Sequence, residues 1–252
     1  MKLFQLTATA ILTAAITLLS SCLSGEDDQH SASGYFTVSG DMTSGYTLYL
    51  DGGGKLTPTM ASVSKLTNNK GFESIERAFL TYTYKEKDLS ADRSEITGAE
   101  LIAGESLDVN TPVSTQSTEA TAITAADSTF DIGAVTHIWA YRGFLTVIYE
   151  GQYAWNEKKN GYLYPRINMV YNAEERIPNE LNVTIYHNEH RDKKDAPAGK
   201  MQFTSSFRLA PLQYATQGGG SDSIRVNISA AGWRQPYTIK VARQDFTKGN
   251  YR

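Results

Sequence analysis

Four histidines, 27 acids and a single cysteine are the groups with which this chain could do chemistry. The densest cluster is His187-Asn188-Glu189-His190, with Arg191, Asp192 and Asp195 beside it. Imidazoles and carboxylates at short spacing can ligate zinc, as His-Glu-x-x-His does on a helix. Here the segment reads as a strand running into a loop, Asp192 to Gly199. Residues three apart on a strand point to opposite faces. Only a turn would bring His187 and His190 together. The expectation is a polar hairpin end and no metal, with these two as the weak candidates. His30 and His137 have no partner visible in sequence.

Other constellations carry less. Glu73/Glu76 and Glu174/Glu175 could serve as a glycosidase pair, but spacing in sequence does not give facing geometry. Asp51-Gly52-Gly53-Gly54-Lys55 has the glycines and lysine of a phosphate loop without its spacing. Leu56 stands where a hydroxyl is needed, and Tyr49 where the first glycine belongs. A hairpin turn fits better. Gly218-Gly219-Gly220 is likewise a loop, and no Gly-x-Ser-x-Gly elbow occurs. No catalytic residue and no cofactor is expected. A carboxylate-based hydrolase on a β-sandwich is the enzymatic alternative. Tyr153, Trp155, Tyr162 and Tyr164 flank one hairpin, and Trp155, Tyr162 and Tyr164 could meet a glycan or a protein, although aromatics also favour strands for structural reasons.

The cysteine has a clearer context. Met1-Lys2 is followed by apolar and small residues to Leu19, the layout of a secretory signal. The stretch ends Leu19-Ser20-Ser21-Cys22, which resembles the lipobox of bacterial lipoproteins. That resemblance implies cleavage after residue 21, lipid on Cys22 and a membrane anchor. With one cysteine no internal disulfide is possible, so the exported chain must fold on its core alone. Glu26, Asp27 and Asp28 resemble the surface-export signal of Bacteroidetes lipoproteins. The expected location is the outer membrane, lipid-anchored and exposed at the cell surface, with 22–34 as an acidic flexible tether.

Charge is uneven. From Cys22 to Ala125 there are 15 acids and 7 bases, net −8. From Ala126 to Arg252 there are 12 acids and 16 bases, net +4. Such a shift suggests two domains. In the first, Tyr35 to Val38, Tyr46 to Leu50, Lys55 to Thr59, Ala78 to Tyr84, Ala99 to Ala103 and Ser106 to Val109 read as short strands. A brief helix is read over Phe72 to Ala78. About five short strands suit a small antiparallel barrel, here 35–110. Its net acidity argues against nucleic acid. Residues 111–129, rich in Ser, Thr and Ala, read as a linker. In the second, strands are read at His137 to Tyr141, Phe144 to Tyr153, Tyr162 to Tyr171, Leu181 to His187, Gln202 to Leu209, Ser223 to Ala230 and Pro236 to Ala242. Their regular spacing suggests a β-sandwich over 130–252. The expected class is all-β. Asp127-Ser128-Thr129 and Asp222-Ser223-Ile224 resemble a short O-glycosylation sequon, for which Ser128 and Ser223 must be exposed.

Together these features resemble the NigD-like lipoproteins of Bacteroidetes. The best local points are Tyr46 to Thr59 with its Asp-Gly turn, Gly143 to Val147, and Leu181 to Asn188 followed by Asp192. Thr146 departs from the family, where Asn is common. The resemblance implies a lipobox, an N-terminal barrel of the oligonucleotide/oligosaccharide-binding type and a C-terminal β-sandwich. It implies no catalytic residue. The expected function is a non-catalytic surface lipoprotein, a binding or accessory module for a protein or glycan. The alternative, resting on the family's name, is bacteriocin-associated self-protection.

Overall fold

A five-stranded barrel is built from β1 (Gln29–Asp41), β2 (Gly45–Leu50), β3 (Lys55–Pro58), β4 (Arg77–Lys85) and β5 (Glu95–Ser106). The computed structural model describes residues 29–125, 129–157, 160–192, 196–216 and 218–247. The strands run β1-β2-β3-β5-β4, and β4 closes on β1. All pairs are antiparallel except β3 with β5. The turn from β2 to β3 needs glycine: Gly52, Gly53 and Gly54 all have positive φ, at 92°, 111° and 99°. Alternation along the strands turns Phe36, Leu48, Leu56, Leu80 and Leu101 into one core. Burying each such side chain contributes about 1.5–3 kcal/mol.

A short helix, α1 (Met60–Leu66), follows β3. Thr59 caps it by accepting from the Ser62 amide at 3.3 Å, and Val63 is buried in the core. The helix expected at Phe72 to Ala78 is absent there. That stretch is a turn followed by β4, and the Phe72 amide donates to the Tyr46 hydroxyl at 2.9 Å. Arg77 is fully buried in a bidentate pair with Asp51, and it also donates to Thr37 Oγ1 at 2.9 Å.

The expected tether also ends earlier than 34. Gln29 to Gly34 pair with Lys85 to Leu80 as the first part of β1. Their polar side chains are used across the strand pair: Gln29 donates to Thr83 at 3.1 Å, and Ser33 lies 2.8 Å from Thr81. A composition that reads as disorder is here one face of a paired strand.

The division into two compact units falls between Leu107 and Asp108. The second unit contains β6 (Asp108–Asn110), β7 (Val113–Ser114), α2 (Thr118–Thr124), β8 (Val135–Tyr141), β9 (Phe144–Asn156), β10 (Gly161–Leu163), β11 (Arg166–Tyr171), β12 (Glu180–Asn188), β13 (Gly199–Arg208), β14 (Ser223–Ala230) and β15 (Tyr237–Ala242). One sheet runs β10-β9-β13-β6, with β8 also on β9; the other runs β15-β14-β12-β11-β7. Leu145, Val147 and Phe207 from the first pack with Ile167, Val183, Ile185 and Val226 from the second in one core. This is a sandwich.

Three expectations change here. Asp108 to Asn110, placed with the barrel, pair in parallel with β13. The linker 111–129 carries a strand, β7, paired with β11, and a helix capped by Ser117, whose Oγ accepts from Ala120 at 3.1 Å. Small residues that lower hydrophobicity also make an adequate helix when alanine alternates with a good cap. The single strand expected at Tyr162 to Tyr171 breaks at Pro165, which lacks an N–H and holds Tyr164 extended. Thus β10 lies in one sheet and β11 in the other. With α1, α2 and short 3₁₀ turns at Glu86–Asp88, Ala210–Thr216 and Arg243–Phe246, the fold is predominantly β rather than all-β.

Candidate functional site

The odd-numbered residues of β9 face the sandwich core as far as Tyr149. By strand alternation Gly151, Tyr153 and Trp155 share that face. The register sets Phe203 opposite Tyr149, Met201 opposite Gly151 and Gly199 opposite Tyr153. It sets Tyr162 opposite Trp155. The inward face therefore continues past the shared core and emerges into solvent. Trp155, Tyr162, Tyr164 and Met201 are exposed by 47%, 51%, 53% and 48%.

The rings pack on one another. Trp155 meets Tyr162 edge-on at 5.0 Å, and Tyr153 meets Tyr162 edge-on at 5.3 Å. Tyr164 lies 6.3 Å from Tyr162 and 6.1 Å from Phe203. Phe203 in turn packs on buried Tyr149 at 5.8 Å. Glycine makes room for this. A Cβ on Gly199 would come within 2.4 Å of the Tyr153 hydroxyl, so that side chain lies against bare backbone. Pro165 and Phe203 fill the space above Gly151. The three aromatics singled out in sequence are thus brought together, and among the described residues those that line the face are uncharged. Tyr153, which flanks the same hairpin, stands with them; Met201 and the two glycines were missed, because strand register, not composition, places them.

Beneath the shelf lies His187. Its ring meets Tyr149 edge-on at 5.7 Å and Phe130 at 6.4 Å. Nδ1 is 3.2 Å from the Asp131 carbonyl, while Nε2 is buried without a hydrogen-bond partner. Burial pushes the imidazole below its ordinary value; the Asp131 carbonyl and Glu189 oppose that shift, and Arg191 adds to it. Glu189 is buried and ion-paired with Arg191, which lies over the Phe130 ring at 4.9 Å and donates to Gln152 at 3.1 Å. His190 is exposed, with φ 57°, and its amide donates to Asn188 at 2.7 Å. The turn sends the two histidines to different environments, one into the core and one into solvent. Among the described residues no group of three or more His, Cys, Asp or Glu is placed to hold a metal ion.

Elsewhere the polar groups serve local structure. Asp92 is lowered to about 2 by hydrogen bonds from Ser90 and Ser94. Asp41 is lowered by the amides of Ser44 and Thr43, and Glu150 by Lys200. A general acid needs the opposite shift. Glu73, Glu174 and Glu175 are exposed. A cleft of about 690 Å³ in the barrel unit is lined by Leu66, Lys70, Phe72, Leu80 and Glu105, among others. Ser223 is half-buried at the start of β14, with its amide donating to Ser221 at 3.3 Å. Cys22, Glu26, Asp27, Asp28 and Ser128 lie outside the described residues. No described helix is long and apolar enough to cross a membrane.

No family model and no curated protein matches the sequence. Among solved structures, the chain is similar to a putative toxin-related protein from Parabacteroides distasonis: TM-score 0.57, 18% identity, covering 86% of this chain and 96% of that one. It is similar to a putative lipoprotein from Bacteroides fragilis, with TM-score 0.53 and 11% identity over 84% of this chain and 96% of that one. It is also similar to a NigD-like immunity protein from Bacteroides caccae, with TM-score 0.54 and 19% identity over 83% of this chain and 91% of that one. At these identities the likeness is one of fold.

Proposed function

We propose that this chain is a non-catalytic self-protection lipoprotein that acts by binding. The observation that carries this reading is the fold shared with the NigD-like immunity protein over 83% of the chain. Two features of the sequence and structure support it. The barrel order β1-β2-β3-β5-β4 with a helix between β3 and β4 fits the oligonucleotide/oligosaccharide-binding type that the sequence resemblance implies. The described polar groups serve caps, turns and ion pairs rather than a convergent catalytic set.

In this reading residues 1–21 are removed and Cys22 carries the lipid. Glu26, Asp27 and Asp28 direct the protein to the outer surface of the outer membrane. Six residues separate Cys22 from β1, a reach of at most about 25 Å from the lipid. Ser128 and Ser223 are its candidate O-glycosylation positions.

The test is survival in co-culture. Deleting the gene should make cells at least tenfold more sensitive to toxin-producing neighbours, and the wild-type gene should restore them. Cys22→Ala should not. Equal survival with and without the gene would overturn self-protection. A second reading, an accessory module for a glycan, is favoured by one observation: the exposed aromatic shelf on β9, β10 and β13.

A further inference from the structure

The shelf is small. Its four leading side chains are each about half exposed. A large side chain offers roughly 150–250 Å², so the shelf offers roughly 300–500 Å² in all. A stable protein interface takes about 800 Å² from each partner. An extended peptide would draw its affinity from main-chain bonds along a sheet edge. One edge beside the shelf, β10, is only three residues long, and the other, β13 before Ser205, is about six. A protein surface does not suit these dimensions, and a peptide strand on β13 would bind through backbone and leave the rings unused.

The chemistry points the same way. Tyr153, Trp155, Tyr162, Tyr164, Met201 and Phe203 line the shelf face. None of these described side chains carries charge, so the rings themselves offer a charged ligand no ion pair. Tyrosine and tryptophan combine an apolar ring with a polar tip, and buried ones take a hydrogen-bond partner. A ligand with apolar C–H faces and hydroxyl edges satisfies both halves of these side chains.

We propose that the shelf binds a neutral oligosaccharide, whose pyranose rings stack on Trp155, Tyr162 and Tyr164 while their hydroxyls meet the tyrosine hydroxyls. Gly199 is a positioning residue: its missing side chain lets Tyr153 lie against β13 and support Tyr162. This rests on the accessory-module reading.

The experiment uses the purified mature chain and four neutral hexasaccharides: cellohexaose, chitohexaose, xylohexaose and mannohexaose. Binding is read by calorimetry and by tryptophan emission, at ligand up to about 1 mM. At least one sugar should bind, and Tyr162→Ala with Tyr164→Ala should weaken it at least tenfold. Tyr214→Ala, which removes a tyrosine 71% exposed outside the shelf, should leave affinity unchanged. If the double variant misfolds by circular dichroism, Trp155→Ala alone should still weaken binding. No binding by any of the four, or binding that these variants leave intact, overturns the proposal. Failure here with survival still dependent on the gene would reject the glycan shelf and keep self-protection. Sugar binding with survival independent of the gene would do the reverse.

Discussion

The two units differ in where their large side chains end up. The barrel buries Arg77 completely and pairs it with Asp51 and Thr37, although Nε of the guanidinium has no hydrogen-bond partner. The sandwich likewise buries His187 with one nitrogen lacking a hydrogen bond, beside the ion pair of Glu189 with Arg191. It also leaves a run of packed aromatic rings half in solvent. A buried ion pair with a partner removed destabilises a fold; an exposed apolar patch invites a ligand. The binding surface proposed above therefore sits at the end of β9, and the buried pairs of both units are assigned to structure.

The largest effect that could break this contrast lies in the barrel. Arg77→Met leaves Asp51 buried without its cation and should cost about 3–5 kcal/mol in urea unfolding. Adding Asp51→Leu should return much of that loss. If the double variant is no better than the single one, the loss comes from packing and the bond to Thr37 rather than from an unpaired carboxylate.

Next comes the shelf's support. Gly199→Ala sets a methyl group against the Tyr153 hydroxyl and should cost about 1–3 kcal/mol, as overpacking does. It should also change near-ultraviolet circular dichroism as the rings shift. An unchanged spectrum would mean that Tyr153 is free to move aside.

The buried histidine should show itself through pH. His187 is held below its ordinary value, so the folded chain favours neutral imidazole. Above about pH 6.5 neither state binds the proton, and stability does not change on this account. As pH falls below that value, the unfolded chain binds a proton that the folded chain resists, and stability drops. The drop levels off below the folded value. The melting temperature should fall from pH 7.5 to 5.5, and less steeply in His187→Gln. Equal slopes would place the pH dependence elsewhere.

The smallest effect is the sharpest for the shelf. Trp155→Ala and Tyr162→Ala remove half-exposed side chains that still pack on neighbouring rings and should cost about 0.5–1.5 kcal/mol. A loss comparable to a core truncation, about 3–5 kcal/mol, would show that the rings are core and not a binding surface.

Much of this was legible in the sequence, for definite reasons. Alternation and turn residues marked most strands, because a half-buried strand must alternate and a tight turn needs glycine. Asp51 to Gly54 is the clearest case. The early end of the tether was hidden, because Gln29 to Gly34 are polar on an edge that pairs through side chains as well as backbone. The helix over Thr118 to Thr124 was hidden by a composition typical of linkers, although Ser117 was there as its cap. In the site, Trp155, Tyr162 and Tyr164 could be named because a hairpin joins them. Gly199 and Met201 come from a strand more than 30 positions later, and only register reveals them. Glu189 continues the inward alternation of Val183, Ile185 and His187, a signal masked by its charge.

The central proposal is that the chain protects its cell. The most direct measurement is survival of the deletion strain in co-culture with toxin producers, with and without the wild-type gene restored at its normal surface level. The account predicts at least tenfold better survival with the gene. Equal survival with and without it would contradict the account.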